Sequence, residues 1–195
     1  MHSATAEASP VMAPHRKLTV EQYHRMGETG ILGADERVEL IEGELIDMAP
    51  IGHFHAGLGS LLIEVLAHRT QGQAIAWVQN PIRLDRYSEP QPDFALLRYR
   101  PDHYKQSLPT AADVLLVVEI ADSTVRYDRE IKGALYGRHH IPEYWLINVP
   151  ERCVEIYQEA DEGGHGYRNQ RTIREGLLVP ESFPDITIDV GDLLR

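Results

Sequence analysis

The sequence predicts an α/β (α+β) fold in which helices cover a mixed central sheet, and three observations lead there. Residues 114–120 form an almost unbroken apolar run, the pattern of a central strand buried on both faces. Between residues 53 and 70 apolar side chains recur at intervals of three and four, the spacing of a helix with one buried face. The elements follow one another as helix, hairpin, helix, three strands, helix and strand pair, an order that layers helices on a sheet. With 195 residues, 43% of them hydrophobic, the chain has enough apolar surface for one sizeable core and too little for two.

Residues 1–16 are polar and rich in Ala, Ser and Pro, which reads as a disordered arm, and one domain is expected over 17–195. Thr19 with Gln22 forms a capping-box pattern, so a short helix is expected over 20–26, stopped by Gly27. Residues 37–48 alternate apolar and charged side chains about Glu42-Gly43, a β-hairpin signal. The helix over 53–70 presents Phe54, Leu58, Leu61, Leu62, Val65 and Leu66 on its apolar face, with Gly72 as its C-terminal stop. Short strands are expected at 74–79, 82–84 and 93–97, punctuated by Pro81, Pro90 and Pro92. After the apolar strand come a helix over 127–138 and strands at 143–149 and 154–158 joined by Pro150-Glu151-Arg152. Beyond the Gly163-Gly164 turn, β-rich sequence runs to about Leu193. The stretch Gly57-Leu58-Gly59 does not follow a strand as a dinucleotide fingerprint would, and Ser123-Thr124 lacks the glycines of a nucleophile elbow, so helix capping is its expected role.

A single cysteine, Cys153, excludes an intramolecular disulfide, and the longest apolar runs fall far short of a membrane span. No apolar stretch of secretory type opens the chain, so a cytoplasmic location without membrane partners is expected. The net charge of −11 opposes sequence-independent nucleic-acid binding, which comes mostly from Lys and Arg displacing counterions. A nucleic-acid substrate therefore requires cations gathered on one face. Arg83, Arg98, Arg126 and Arg129 are the candidates for the rim of a cleft, with the acidic excess remote from it and in residues 159–162.

Three separated pieces of sequence combine as one chemical site: Asp93 after Pro92, Glu119 within the apolar run, and Lys132 on the following helix. Two carboxylates at strand ends with an amine from a helix suit metal-assisted phosphodiester hydrolysis, because oxygens hold Mg²⁺ while a cation steadies charge on the phosphate. Each residue also has a plainer reading. Asp93 can be a strand-end aspartate, Glu119 the buried partner of a structural Arg or Lys, and Lys132 one half of an exposed pair with Asp128. Asp128, Lys132 and Tyr136 stand at i, i+4 and i+8 and so share a helix face, which puts Tyr136 beside the amine.

The stretches Arg37-Val38-Glu39-Leu40-Ile41-Glu42-Gly43-Glu44, Gln91-Pro92-Asp93, Val118-Glu119-Ile120-Ala121-Asp122-Ser123-Thr124, Tyr127-Asp128-Arg129-Glu130-Ile131-Lys132 and Ile141-Pro142-Glu143-Tyr144-Trp145 resemble the Uma-two family of bacterial restriction-endonuclease-like proteins, part of the PD-(D/E)xK nuclease superfamily. The likeness runs from about Leu18 to Leu194. It implies a restriction endonuclease-like αβββαβ core with extra β-hairpins and a divalent metal, Mg²⁺ or Mn²⁺, held by Asp93 and Glu119. In the simplest superfamily pattern a lysine lies two residues after the acid, where this chain has Ala121; the resemblance implies that Lys132 takes that role from the next helix. Glu39 is implied as a further metal ligand or water-orienting carboxylate, and His55 as a supporting residue that matches a histidine recurring after the hairpin. The nearby His53 reads as a helix-start or core-facing residue.

The expected activity is metal-dependent endonucleolytic hydrolysis of DNA. Asp93 and Glu119 sit at the same end of neighbouring strands with the Ile120 carbonyl as a further ligand, water attacks phosphorus in line, and Lys132 supports the nucleophile or the transition state. A homodimer is the expected form if two strands are cut. Two other classes stay open: a non-catalytic scaffold that keeps the fold to bind nucleic acid or assemble with protein, and a metal hydrolase of a small phosphorylated substrate.

Overall fold

The computed structural model describes residues 15–33, 35–161, 163–164 and 166–195. The arm expected over 1–16 falls almost wholly outside these residues, as does Glu162. Thr19 and Gln22 do form a reciprocal capping box, which starts helix α1 (Val20–Glu28). That helix runs through Gly27 and ends at Thr29, because the intrahelical hydrogen bonds outweigh one glycine's conformational entropy and the chain reverses only at Gly30, where φ is +73°. Strands β1 (Val38–Ile41) and β2 (Glu44–Asp47) make the expected hairpin. Glu42 and Gly43 both have positive φ, as a tight hairpin turn requires.

Helix α2 (His53–Leu62) continues through a π-helical stretch (Ile63–Ala67), so the long periodic segment is one helical rod with a widened second half. Its face of Leu58, Leu62 and Leu66 is buried, whereas Phe54, counted on that face from spacing, is 36% exposed at the rod's start. The main sheet has six strands in the order β3 (Ala74–Trp77), β4 (Phe94–Arg98), β5 (Val114–Ala121), β6 (Glu143–Asn148), β7 (Cys153–Ala160) and β8 (Tyr167–Ile173). All neighbours are antiparallel except β5 and β6. Residues 82–84 do not make a strand; Arg83 forms only an isolated bridge to Thr110. Prolines at 81 and 90 bracket this segment and interrupt any ladder.

The β5–β6 crossover is helical. Helix α3 (Val125–Tyr127), a π-helical stretch (Asp128–Lys132) and α4 (Gly133–Arg138) follow without a break in αR geometry. Strand β5 alternates between two cores. Leu116, Val118 and Ile120 pack against α2 on one face, while Val114, Val117 and Ala121 join Tyr136, Ile141 and Tyr144 under α4 on the other. The whole therefore has the α–βββ–α–β order and mixed sheet expected of a restriction-like core. A short β9 (Leu177–Leu178) and β10 (Ile188–Asp189) pair with each other, and α5 (Val190–Leu193) closes the α2 side. Among the described residues no helix is long and apolar enough to cross a membrane.

Two contacts fix how the crossover helix sits on the sheet. A Cβ at Gly137 would lie 2.5 Å from the Gly166 backbone, so helix and β7–β8 turn touch main chain to main chain. Arg129 donates through Nε and Nη2 to the Glu155 carboxylate on β7, which also accepts from Asn148 and Tyr157. Burial pushes the Glu155 carboxyl up, but these donors outweigh it and bring it down to about 2.

Gly137→Ala should lower stability by about 1–3 kcal/mol in urea unfolding, whereas Gly57→Ala, with nothing within 4 Å of its added methyl, should be neutral or raise it by about 0.5–1 kcal/mol. The depressed Glu155 carboxyl contributes stability that is complete above about pH 4.5 and lost as pH falls toward about 2. Glu155→Gln should accordingly flatten the acid limb of stability against pH in that window; a limb as steep as that of the unaltered protein would assign it to other carboxylates.

Candidate active site

One end of the sheet carries the site because antiparallel register brings Asp93 and Glu119 there together. Phe94 pairs with Val118, so the next pair outward is Asp93 opposite Glu119, whose side chain meets Lys132 and Tyr136 of the crossover helix. The two residues interlock: the Ile120 N–H donates to Asp93 Oδ2 at 2.8 Å, and the Asp93 N–H lies 3.4 Å from Glu119 Oε2. Ile120, which lines the same end of the sheet, makes this contact to Asp93 through its N–H. Pro92 before Asp93 ends the ladder and frees the Asp93 amide for this contact.

Lys132 closes the site from the helix. Its Nζ lies 3.0 Å from Glu39 Oε1 and 3.1 Å from Glu119 Oε1, and its side chain is 6% exposed. It is therefore not half of an exposed pair with Asp128. The π-helical turn widens the helix between them, and Asp128 instead accepts from the Thr124 hydroxyl at 2.5 Å. That contact replaces the backbone cap expected of Thr124. One turn on, Tyr136 donates its hydroxyl to Glu119 Oε1 at 2.6 Å. Glu39 comes from β1, where all four residues are buried, so it is no solvent-side residue of an alternating strand. Its Oε2 accepts from the Gln91 N–H at 3.1 Å. From the opposite side α2 brings His55, with Nε2 2.8 Å from Asp93 Oδ1. His53 is at the helix start, exposed, and lines the cavity without entering the core.

Glu39, His55, Asp93, Glu119, Ile120 and Lys132 line one cavity of about 330 Å³, with Tyr136 buried behind it. Sequence spacing did not single out Tyr127, Asp122 and Arg37, which line it too, and it placed Asp128, another lining residue, only beside Lys132 on one helix face. The signal for Asp128 was present in the same i, i+4 spacing but had the commoner meaning of a surface pair. Six carboxylates, Glu39, Asp47, Asp93, Glu119, Asp122 and Asp128, face two cations, Arg37 and Lys132. Burial pushes the Glu119 carboxyl well above its ordinary range; Lys132 opposes this, and Asp93, Asp128 and Glu39 add to it. Asp128 is raised in the same way. Burial alone would lower the Lys132 ammonium, but Glu119, Glu39 and Asp128 outweigh it and hold it well above the usual value, so it stays charged.

The expected basic rim is not there. Arg83 pairs with Glu21, Arg98 donates to the Ala112 carbonyl, Arg126 pairs with Glu130, and Arg129 is taken by Glu155; none lines the cavity. Among the described residues no group of three or more His, Cys, Asp or Glu side chains forms a ready-made metal cage. The donor set nonetheless fits a hard divalent ion. It is all oxygen and carries excess negative charge, and Mg²⁺ is usually held by only one or two carboxylates, with water and substrate oxygens completing its shell.

Residues 20–191 match the model of the Uma2 (Uma-two) family, described as "Putative restriction endonuclease". Among solved structures, the chain is similar to a "putative nuclease belonging to DUF820" from Anabaena variabilis ATCC 29413, with a TM-score of 0.72 at 15% identity over 91% of this chain and 97% of that one. At that identity the likeness concerns the fold. No curated protein matches the sequence.

Lys132→Met would leave Glu39 and Glu119 buried without their shared cation. It should cost about 3–5 kcal/mol in urea unfolding at neutral pH, with partial recovery when Glu119→Gln is added. A loss below about 1 kcal/mol would mean that the carboxylates are neutral or solvated in the folded protein.

Proposed function

Since this chain belongs to the Uma2 family, we propose that it is a divalent-metal-dependent endonuclease that hydrolyses DNA phosphodiester bonds. The observation that carries this reading is the charged Lys132 ammonium, buried between Glu39 and Glu119 and opening onto the cavity that Asp93 shares. Asp93 and Glu119 would hold Mg²⁺ or Mn²⁺, which supplies Lewis-acid neutralisation of charge on the scissile phosphate. The other residues prepare that arrangement. His55 and the Ile120 N–H fix the two oxygens of Asp93, while Tyr136 and Lys132 converge on one oxygen of Glu119 and leave the other toward Asp93. Glu39, held by the Gln91 N–H, is the carboxylate suited to accept a proton from an attacking water. Lys132 stabilises negative charge gathering on the phosphoryl oxygens.

A second reading, hydrolysis of a small phosphorylated substrate, is favoured by one observation: Arg37 is the only arginine on the cavity wall among the described residues. A long duplex would find few phosphate contacts there.

Cleavage of single-stranded, duplex and branched DNA, RNA and small phosphodiesters, each with Mg²⁺, Mn²⁺ or chelator, tests both. The expected result is strand scission that requires metal and falls by about 10²-fold or more in Asp93→Ala. Scission that survives chelator or Asp93→Ala overturns the metal reading, and hydrolysis confined to small diesters moves the function to the second one.

A further inference from the structure

Behind His55 lies a second cavity of about 210 Å³, which shares Ile51, His55, Asp93 and Ile120 with the first. The two spaces meet at the His55–Asp93 contact. Their linings differ: the first gathers six carboxylates beside apolar residues such as Ile46, Met48 and Phe54, whereas the second is walled by Ile51, Ala56, Gly59, Ile63 and Val78, with Ser60, whose hydroxyl is bonded to the Ala56 carbonyl, and Gln79 as its polar members apart from the shared His55 and Asp93. Of its lining residues Ile51 and Ile63 are 38% and 39% exposed, two of the seven large apolar side chains that the described residues leave in water. Gly59 keeps the helix wall low; a Cβ there would meet nothing within 4 Å. The Gln79 N–H donates to the Pro92 carbonyl at 3.1 Å, which ties this wall to the residue before Asp93, and its carboxamide has no hydrogen-bond partner among the described residues.

We infer that this cavity receives the base of the nucleotide whose phosphate lies at Asp93 and Glu119, so that the strand entering the site is unpaired there. The inference rests on the nuclease reading for where the phosphate lies. A nucleobase has two apolar faces and a polar edge, which match aliphatic walls and one unoccupied carboxamide. A base reaches such a recess only when it is out of the duplex stack. Charge points the same way. With six carboxylates around the phosphate position and the four candidate rim arginines engaged elsewhere, affinity for a strand has to come from base contacts more than from counterion release.

The test is equilibrium binding, by fluorescence anisotropy, of a labelled 12-nucleotide oligothymidylate to the full chain in chelator, compared with its duplex and with a strand of abasic sites. A single 2-aminopurine in the strand reports base environment. Single strand should bind at least about tenfold tighter than duplex or abasic strand, with a change in 2-aminopurine emission. Gly59→Leu, which fills the recess on a helix that favours leucine over glycine, should abolish both the preference and the emission change. Gly57→Leu, equally uncrowded on the same helix but lining neither cavity, should behave as the unaltered protein. Equal binding of single strand, duplex and abasic strand, or a Gly59→Leu protein with the preference intact, overturns the assignment, as does thymidine monophosphate competing as well as the strand. Strand cleavage with Mg²⁺ is scored separately: base-dependent binding without cleavage removes the nuclease reading and keeps the recess, and cleavage without base preference does the reverse.

Discussion

A buried ammonium between two buried carboxylates organises this molecule's working end. Removing a lysine and two glutamates from water costs several kcal/mol for each ion, and only tight mutual contact offsets it. Lys132 meets Glu39 and Glu119 at 3.0 and 3.1 Å, and each carboxylate has further donors, Gln91 N–H for one and Tyr136 for the other. The contact ties together three parts distant in sequence: the amino-terminal hairpin, the central strand and the crossover helix. Neither β1 nor the helical segment after β5 can move from the sheet end without stranding a charge.

The second face of the sheet is joined to this arrangement through Asp93. Being the last residue before β4, it lies where both helical layers can reach, and it takes a donor from β5 and one from α2. The acidic cavity and the apolar recess therefore adjoin at this residue, sharing Ile51, His55, Asp93 and Ile120 in their walls. The excess of carboxylates over cations also explains why Glu119 and Asp128 hold their protons more tightly than usual, since burial and like charge act together. Such a site is unfavourable alone and suited to a divalent cation.

The arginines tell the opposite story. Arg129 binds Glu155 beneath the crossover helix, Arg83 binds α1, and Arg126 and Arg138 pair with Glu130 and Glu42. These cations serve the scaffold, so the negative net charge is not hiding a basic face around the cavity.

Most of the fold was legible because it follows local periodicity. The apolar run at 114–120, the capping box at Thr19 and Gln22, and the Glu42-Gly43 turn each act within a few residues. The gathering of Asp93, Glu119 and Lys132 could be anticipated because an acid inside an apolar strand requires a partner. Several features needed the third dimension. That Phe54 stays in water depends on where the sheet ends, that Lys132 turns from Asp128 to Glu39 depends on a π-turn and a hairpin folded over it, and that four arginines leave the cavity depends on which carboxylates, or for Arg98 which backbone carbonyl, lie nearest in space. The elements, and the residue types able to do chemistry, follow from chain order alone because propensity and burial patterns are short-ranged. Their partners emerge on folding, since electrostatic pairing in a buried site is settled by distance between chain segments and not by spacing along one.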